Sequence, residues 1–304
     1  MTMTPAALDV RHAFADLGNL RMHYVESAGT PRPGAPPVVL LHGFPEMWWS
    51  WRYQIRALAA AGYRVIAPDL RGYNDTEAKG PYDIDTLRDD VVALLDHLKI
   101  DKAIVISHDW GGAVAWHLAG TRQGRCAKLV VMNCPHVLVF QRAIYKWRQA
   151  RRSWYMFFFQ IPWLPETLLA MRGGKGVATL LRAAAVDKTN FGDEELEPFT
   201  AAVQKPGRAR AMIEWYRAAI RSGLRARRAP DSQASPALHH QTITIPTLLV
   251  WGMNDAAFSY EDVVPGTERY APGVEIHNIA DCGHFVQQER PEEVNRLVLE
   301  WIKS

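Results

Sequence analysis

Cysteine is scarce: the 304 residues include three, Cys126, Cys134 and Cys282, scattered and without a C-x-x-C pair. That excludes a disulfide framework and a cysteine-based structural zinc site, and it suits a reducing compartment. Long hydrophobic runs are missing too. The most apolar stretch, Met156 to Met171, is interrupted by Gln160, Pro162, Pro165 and Glu166, which rules out a membrane-spanning helix there. Residues 1–14 carry no apolar run suited to a secretory signal, so the expected location is the cytoplasm, with no integral membrane association. Excess charge of one sign is small: 35 Lys and Arg against 32 Asp and Glu leave +3, too little to indicate a nucleic-acid partner. No internal repeat or low-complexity tract occurs. Gly173-Gly174-Lys175-Gly176 has no strand before it and no Ser or Thr after its Gly-Lys pair, so it reads as a loop rather than a phosphate cradle.

What is present is an ordinary globular balance, 48% hydrophobic and 22% charged, long enough for one large α/β domain with an insertion or for two domains. Short aliphatic runs recur at Val38 to Leu41, Tyr63 to Pro68, Ala103 to Ile106, Lys128 to Met132, Thr247 to Trp251 and Val274 to Ile279. Separated by helical patterns, they predict a parallel sheet buried on both faces. Leu87, Val91, Leu94, Leu95 and Leu98 mark one helix, and Val294, Leu297, Val298 and Trp301 mark another that opens on Pro291, Glu292 and Glu293. Ahead of the first parallel strand, Val10 to Phe14 and Leu20 to Tyr24 flank Leu17-Gly18-Asn19 and predict an edge hairpin. The rhythm breaks after Met132 for about a hundred helical residues rich in Trp, Phe and Arg, and resumes at Ile245. Residues 136–240 hold 17 Lys and Arg against 8 Asp and Glu, or +9, leaving −6 elsewhere, so the insertion has a surface of its own. Its exit, 229–237, has the composition of a linker.

Ser107-His108-Asp109-Trp110-Gly111-Gly112 stands between a strand and a helical stretch. Small residues two before and two after the central position let strand and helix close around a strained turn, which is what a nucleophile elbow requires. The reactive position holds Asp109. Asp255 and then His284 follow later strands, in the order acid and then histidine. Upstream, His42-Gly43-Phe44-Pro45 follows the first parallel strand, making the backbone N–H groups of Phe44 and Trp110 the candidate oxyanion donors.

His42-Gly43-Phe44-Pro45-Glu46 with Ser50-Trp51-Arg52, Asp69-Leu70-Arg71-Gly72-Tyr73, His108-Asp109-Trp110-Gly111-Gly112 and Gly283-His284-Phe285 together resemble the α/β-hydrolase superfamily, and within it the soluble-type epoxide hydrolases. The resemblance covers almost the whole chain. It implies an α/β-hydrolase fold: an eight-stranded, mostly parallel sheet in a core of residues 1–134 and 239–304, with a helical cap, or lid, over 135–238. Two departures are mild. Ser107 replaces the usual Gly, and Asn74 stands where Gly is common, Asn being tolerant of positive φ.

A carboxylate nucleophile suits substitution at saturated carbon, because the resulting ester can be hydrolysed, whereas a serine would leave an inert ether. His284, oriented by Asp255, would activate the hydrolytic water, with no metal or organic cofactor. An epoxide releases a basic alkoxide, for which a tyrosine of pKa about 10 can supply the proton. The resemblance implies two lid tyrosines. Tyr216 matches the second, and Tyr155 is the candidate for the first; some relatives carry that tyrosine where Phe158 stands here, and a packing role for Tyr155 remains the alternative. Phe44, Trp110, Phe158 and Phe285 are the expected apolar substrate contacts, with Trp154, Phe157, Phe159, Trp163 and Trp215 divided between lid core and cavity wall. The expected partners are a small apolar epoxide and water. A haloalkane dehalogenase using the same aspartate is the alternative, although Phe44 stands where that group carries Asn. A catalytically silent ligand-binding member of the fold is a third reading, disfavoured because every triad position is filled. Lys146, Arg148, Arg151, Arg152, Arg225, Arg227 and Arg228 read as solvated faces, with attraction to an anionic surface as the alternative. Oligomeric state is open, a homodimer included.

Overall fold

The computed structural model describes residues 8–228 and 241–304. Residues 1–7, the expected exit linker at 229–237, the expected cap border at 238 and the side chains of Arg227 and Arg228 lie outside the described residues. Eight strands form one sheet in the order β1-β2-β4-β3-β5-β6-β7-β8. These are β1 Val10–Asp16, β2 Arg21–Ser27, β3 Val38–Leu41, β4 Val65–Pro68, β5 Ala103–His108, β6 Cys126–Met132, β7 Thr247–Gly252 and β8 Val274–Ile279. The β1–β2 hairpin adds antiparallel to β4, and every other pairing is parallel. The helices of the core are α1 Arg52–Ala60, α2 Ile84–His97, α3 Asp109–Thr121, α10 Tyr260–Val263, α11 Val286–Glu289 and α12 Pro291–Lys303.

All side chains of β3, β5 and β7 are buried, as expected for strands covered by helices on both faces. Each such Val or Leu contributes roughly 1.5–3 kcal/mol relative to exposure. Strand β8 departs from this expectation because it is the sheet edge, and its Ile276 is exposed. Strand β4 starts two residues later than its apolar run. Gly62 at φ +83° and Tyr63 close α1 by donating to the Ala59 and Leu58 carbonyls, so Tyr63 belongs to a helix cap. The chain leaves β3 for β4 on one side and reaches β5 on the other, which opens a crevice at the carboxyl ends of the central strands.

Between β6 and β7 the chain inserts α4 Val137–Ala143, α5 Trp147–Arg152, α6 Trp154–Phe158, α7 Leu164–Ala184, α8 Asp193–Gln204 and α9 Arg208–Arg228. Helix α7 is broken at Met171–Gly174, where Arg172, Gly173 and Gly174 take positive φ, so the glycine run is indeed a loop-like kink. Side chains from both parts join the insertion to the sheet domain: the indole N–H of Trp215 donates to the Arg71 carbonyl, and that of Trp49 to the Glu195 carbonyl. The three cysteines are free and buried, and burial pushes the Cys126 thiol up to about 12.

Candidate active site

Strand β5 runs through His108, and the next residue, Asp109, turns the chain with φ +47° as the first residue of α3. A non-glycine residue in this region is strained, by about 1–2 kcal/mol, and is held there by its surroundings. Those surroundings demand glycine twice. A Cβ on Gly111 would lie 2.2 Å from the Leu41 carbonyl oxygen, and one on Gly43 would lie 2.4 Å from Asp109 Cβ. Ser107 fits because its hydroxyl donates to Val130 of the neighbouring strand.

The buried Asp109 carboxylate has two distinct oxygens. Oδ1 accepts the Phe44 backbone N–H at 2.8 Å, whereas Oδ2 lies 3.6 Å from His284 Nε2, an ion-pair separation longer than a hydrogen bond. Trp110 occupies the first turn of α3, where backbone N–H groups have no intrahelical partner. On its other side His284 is held through Nδ1 by Asp255 Oδ2 at 2.9 Å. Asp255 also accepts from Asn133 Nδ2 and from the N–H groups of Ala257 and Phe258. Burial would raise the pKa of both aspartates, yet His284 and these donors hold each below the usual carboxylate range. For His284, burial opposes the charge, but Asp255 and Asp109 outweigh it and raise its pKa well above the ordinary value.

Several residues of the site escape the motifs. Asn133, at φ +41° just past β6, bridges Asp255 and the backbone of Gly252; its position at a strand's carboxyl end was the available signal. Phe258 packs its ring 5.8 Å from His284. Behind the elbow, Glu46 accepts four hydrogen bonds, from Gly43 N–H, His108 Nδ1, Gln287 and Gln288. The other ring nitrogen of His108, Nε2, donates to the His284 carbonyl at 2.8 Å. This buried pair ties the loop after β3, the elbow and the His284 loop to one another. Among the matched motif residues, Tyr73 buries a hydroxyl with no partner among the described residues, its ring edge-on to His42 and Trp215.

Above Asp109 lies a cluster of aromatic rings. Tyr216, on α9, packs edge-on against Phe44, Trp110, Phe159 and Tyr155, with centroids 5.1, 5.1, 4.8 and 5.8 Å away. Burial and then the Asp109 charge push both tyrosines' pKa values up, so each phenol keeps its proton. Phe159, four residues after Tyr155, shares its side of the α6 turn and meets Tyr216 directly. Phe158 stands one ring further out, between Trp154 and Phe159. Phe285 is fully buried behind His284, 5.0 Å from its ring and 5.6 Å from that of His108.

Ligand atoms that could share a cation occur among the described residues at His23, Asp69 and Asp75. They are already engaged: Asp69 takes His23, Asn74 and the Trp48 N–H, and Asp75 pairs with Lys205. No helix among the described residues is long and apolar enough to cross a membrane.

Residues 36–291 match the alpha/beta hydrolase fold family. The chain is 38% identical to the AB hydrolase superfamily protein YfhM of Bacillus subtilis, covering 97% of this chain and 99% of that protein. It is 36% identical to human Epoxide hydrolase 4, over 94% of this chain and 76% of the relative. The crystal structure of an epoxide hydrolase from Bacillus megaterium superposes with a TM-score of 0.83 at 24% identity, over 96% of this chain and 100% of that one, a likeness of fold. With the elbow and the eight-stranded sheet in place, these matches mean that the chain belongs to the α/β-hydrolase superfamily and, within it, to the epoxide hydrolase family.

Proposed function

We propose that the protein hydrolyses a small apolar epoxide to a vicinal diol through an ester on Asp109, with residues 135–238 acting as the cap over a core of 1–134 and 239–304. The observation that carries this reading is the asymmetric environment of the Asp109 carboxylate: one oxygen on the Phe44 N–H, the other facing His284 beneath two protonated tyrosines. Oδ2 attacks an epoxide carbon, the carbon–oxygen bond breaks, and the departing alkoxide takes a proton from Tyr155 or Tyr216. Oδ1 becomes the ester carbonyl oxygen, already seated where an oxyanion is stabilised, with Trp110 N–H as the second donor. Loss of the Asp109 charge on alkylation lowers the proton affinity of His284, which then removes a proton from water as that water attacks the Asp109 carbonyl carbon. Collapse passes the His284 proton to the departing oxygen and releases the diol, and the proton of the new Asp109 carboxyl passes to the tyrosinate, restoring both the carboxylate and the phenol. This route calls on no metal or organic cofactor. Phe44, Trp110 and Phe158, together with Phe159, would contact the apolar body of the substrate, and Phe285 would brace His284.

His284→Ala separates the two halves of the reaction. On incubation with a styrene-type epoxide, the intact mass of this variant should rise by one substrate, localised to the Asp109 peptide. In parallel, the unmodified protein should form diol from the epoxide and release no halide from a 1-haloalkane. Halide release without diol would make it a haloalkane dehalogenase, while neither product would leave a ligand-binding member of the fold.

A further inference from the structure

Nine of the fourteen large hydrophobic side chains exposed among the described residues fall between Tyr145 and Met171, on α5, α6, the first half of α7 and their connections. Trp163 is 79% exposed, Trp147 73%, and Trp154 and Phe157 63% each. Their spacing is that of helix faces: Trp154 and Phe157 three apart on α6, and Leu164, Leu168 and Met171 at four and three along α7. Soluble proteins rarely leave so many large apolar groups together in water without a partner.

The charge around them selects that partner. From Arg142 to Lys175 all seven Lys and Arg residues are exposed; Lys146 pairs with Asp262, and Arg152 donates to the Asp255 and Phe258 carbonyls, which leaves five without an ion pair or carbonyl partner among the described residues. The only acid in this stretch, Glu166, is tied to Arg217. A second copy meeting this face through a two-fold axis would set cations against cations. An anionic bilayer answers both features, because Trp and Phe settle at the headgroup boundary while Lys and Arg meet acidic headgroups. We propose that this face of the lid docks on an anionic lipid surface. Its placement suits an apolar substrate: Tyr155 and Phe159 reach the ring cluster over Asp109, while Trp154 and Phe157 point outward from the same turn of chain. A molecule dissolved in the bilayer would be separated from the ring cluster over Asp109 by one helix diameter, ~10 Å.

Co-sedimentation of the full chain with vesicles of phosphatidylcholine, with and without phosphatidylglycerol, tests this without reference to turnover. Binding to the phosphatidylglycerol vesicles should exceed that to phosphatidylcholine alone by about tenfold or more at low salt and fall steeply in molar salt. Trp147→Ser with Trp163→Ser should lower the partition coefficient by at least about tenfold while the circular dichroism spectrum is unchanged. If that pair perturbs the fold, Arg148→Glu with Arg151→Glu, at exposed positions, should give the same loss. Equal binding to both vesicles, or binding untouched by a folded variant, would overturn the proposal. So would a dimer seen by sedimentation velocity without lipid that the tryptophan changes convert to monomer, because the face would then be a subunit interface.

Discussion

Asp109 and His284 act on each other through charge across 3.6 Å, and the consequences are testable one residue at a time. The raised pKa of His284 depends in part on the Asp109 carboxylate, so ester formation should lower it. Hydrolysis of the alkylated enzyme, followed in single turnover, should therefore speed up with pH until His284 is neutral and then level off. A rate that falls over this rise in pH would remove His284 as the base. In the proposed mechanism the tyrosines serve the other half-reaction. Tyr216→Phe and Tyr155→Phe should each slow alkylation, on the order of 10 to 1000-fold, and the double change should nearly abolish it, with ester hydrolysis little affected. Wild-type alkylation by Tyr155→Phe alone would make Tyr155 a packing residue and Tyr216 the single acid. At this scale the sequence was informative wherever chemistry needs a particular residue in a particular motif: Asp109, Asp255, His284 and Phe44 lie together as expected. Phe159 and Asn133 were harder to find, because a packing aromatic and a hydrogen-bonding amide look ordinary until the chain is folded around them.

Among elements, three loops from distant parts of the chain are joined by one buried pair. Glu46 follows β3, His108 ends β5, and Gln287 and Gln288 lie on α11. Glu46→Gln would replace a carboxylate acceptor of four donors by an amide and oppose amide donors with an amide. Leaving a buried donor unsatisfied in this way costs about 1–3 kcal/mol, which chemical denaturation would measure. The turnover number should fall as well, since the loop bearing the Phe44 N–H is anchored by the Glu46 bond to Gly43. An unchanged denaturation midpoint would mean that packing alone holds these loops. Periodicity and turn residues foretold most of the strands, including the hairpin. What they misjudged were ends and edges: Tyr63 looks apolar enough for a strand yet caps α1, and β8, grouped with the buried strands despite Glu275, His277 and Asn278, lies outermost.

Over the whole molecule, the folded protein buries a set of carboxylates whose pKa values lie below the ordinary range, Glu46, Asp69, Asp109 and Asp255, each stabilised by histidine and hydrogen bonds against the cost of burial. Such groups contribute stability that is present above their unfolded values, about 4, and is lost as pH falls through their folded ones. His284 has the opposite sign: its raised pKa contributes stability below about 6.5 that disappears as pH rises through the folded value. Urea midpoints should therefore drop steeply below about pH 4, with a slope corresponding to uptake of more than one proton. A flat profile from pH 5 to 3 would show that these carboxylates are not held as described. The sequence by itself determined the fold family, the core with its inserted helical segment, and the elbow that carries Asp109, because strand periodicity, glycine at close approaches and motif chemistry are local properties of the chain. Only the tertiary structure decided which lid aromatics close over Asp109 and which face outward, which oxygen of Asp109 meets which partner, and how Glu46 and His108 bind three loops together. Those outcomes depend on packing and charge among residues up to 242 positions apart, and no local pattern encodes such distances.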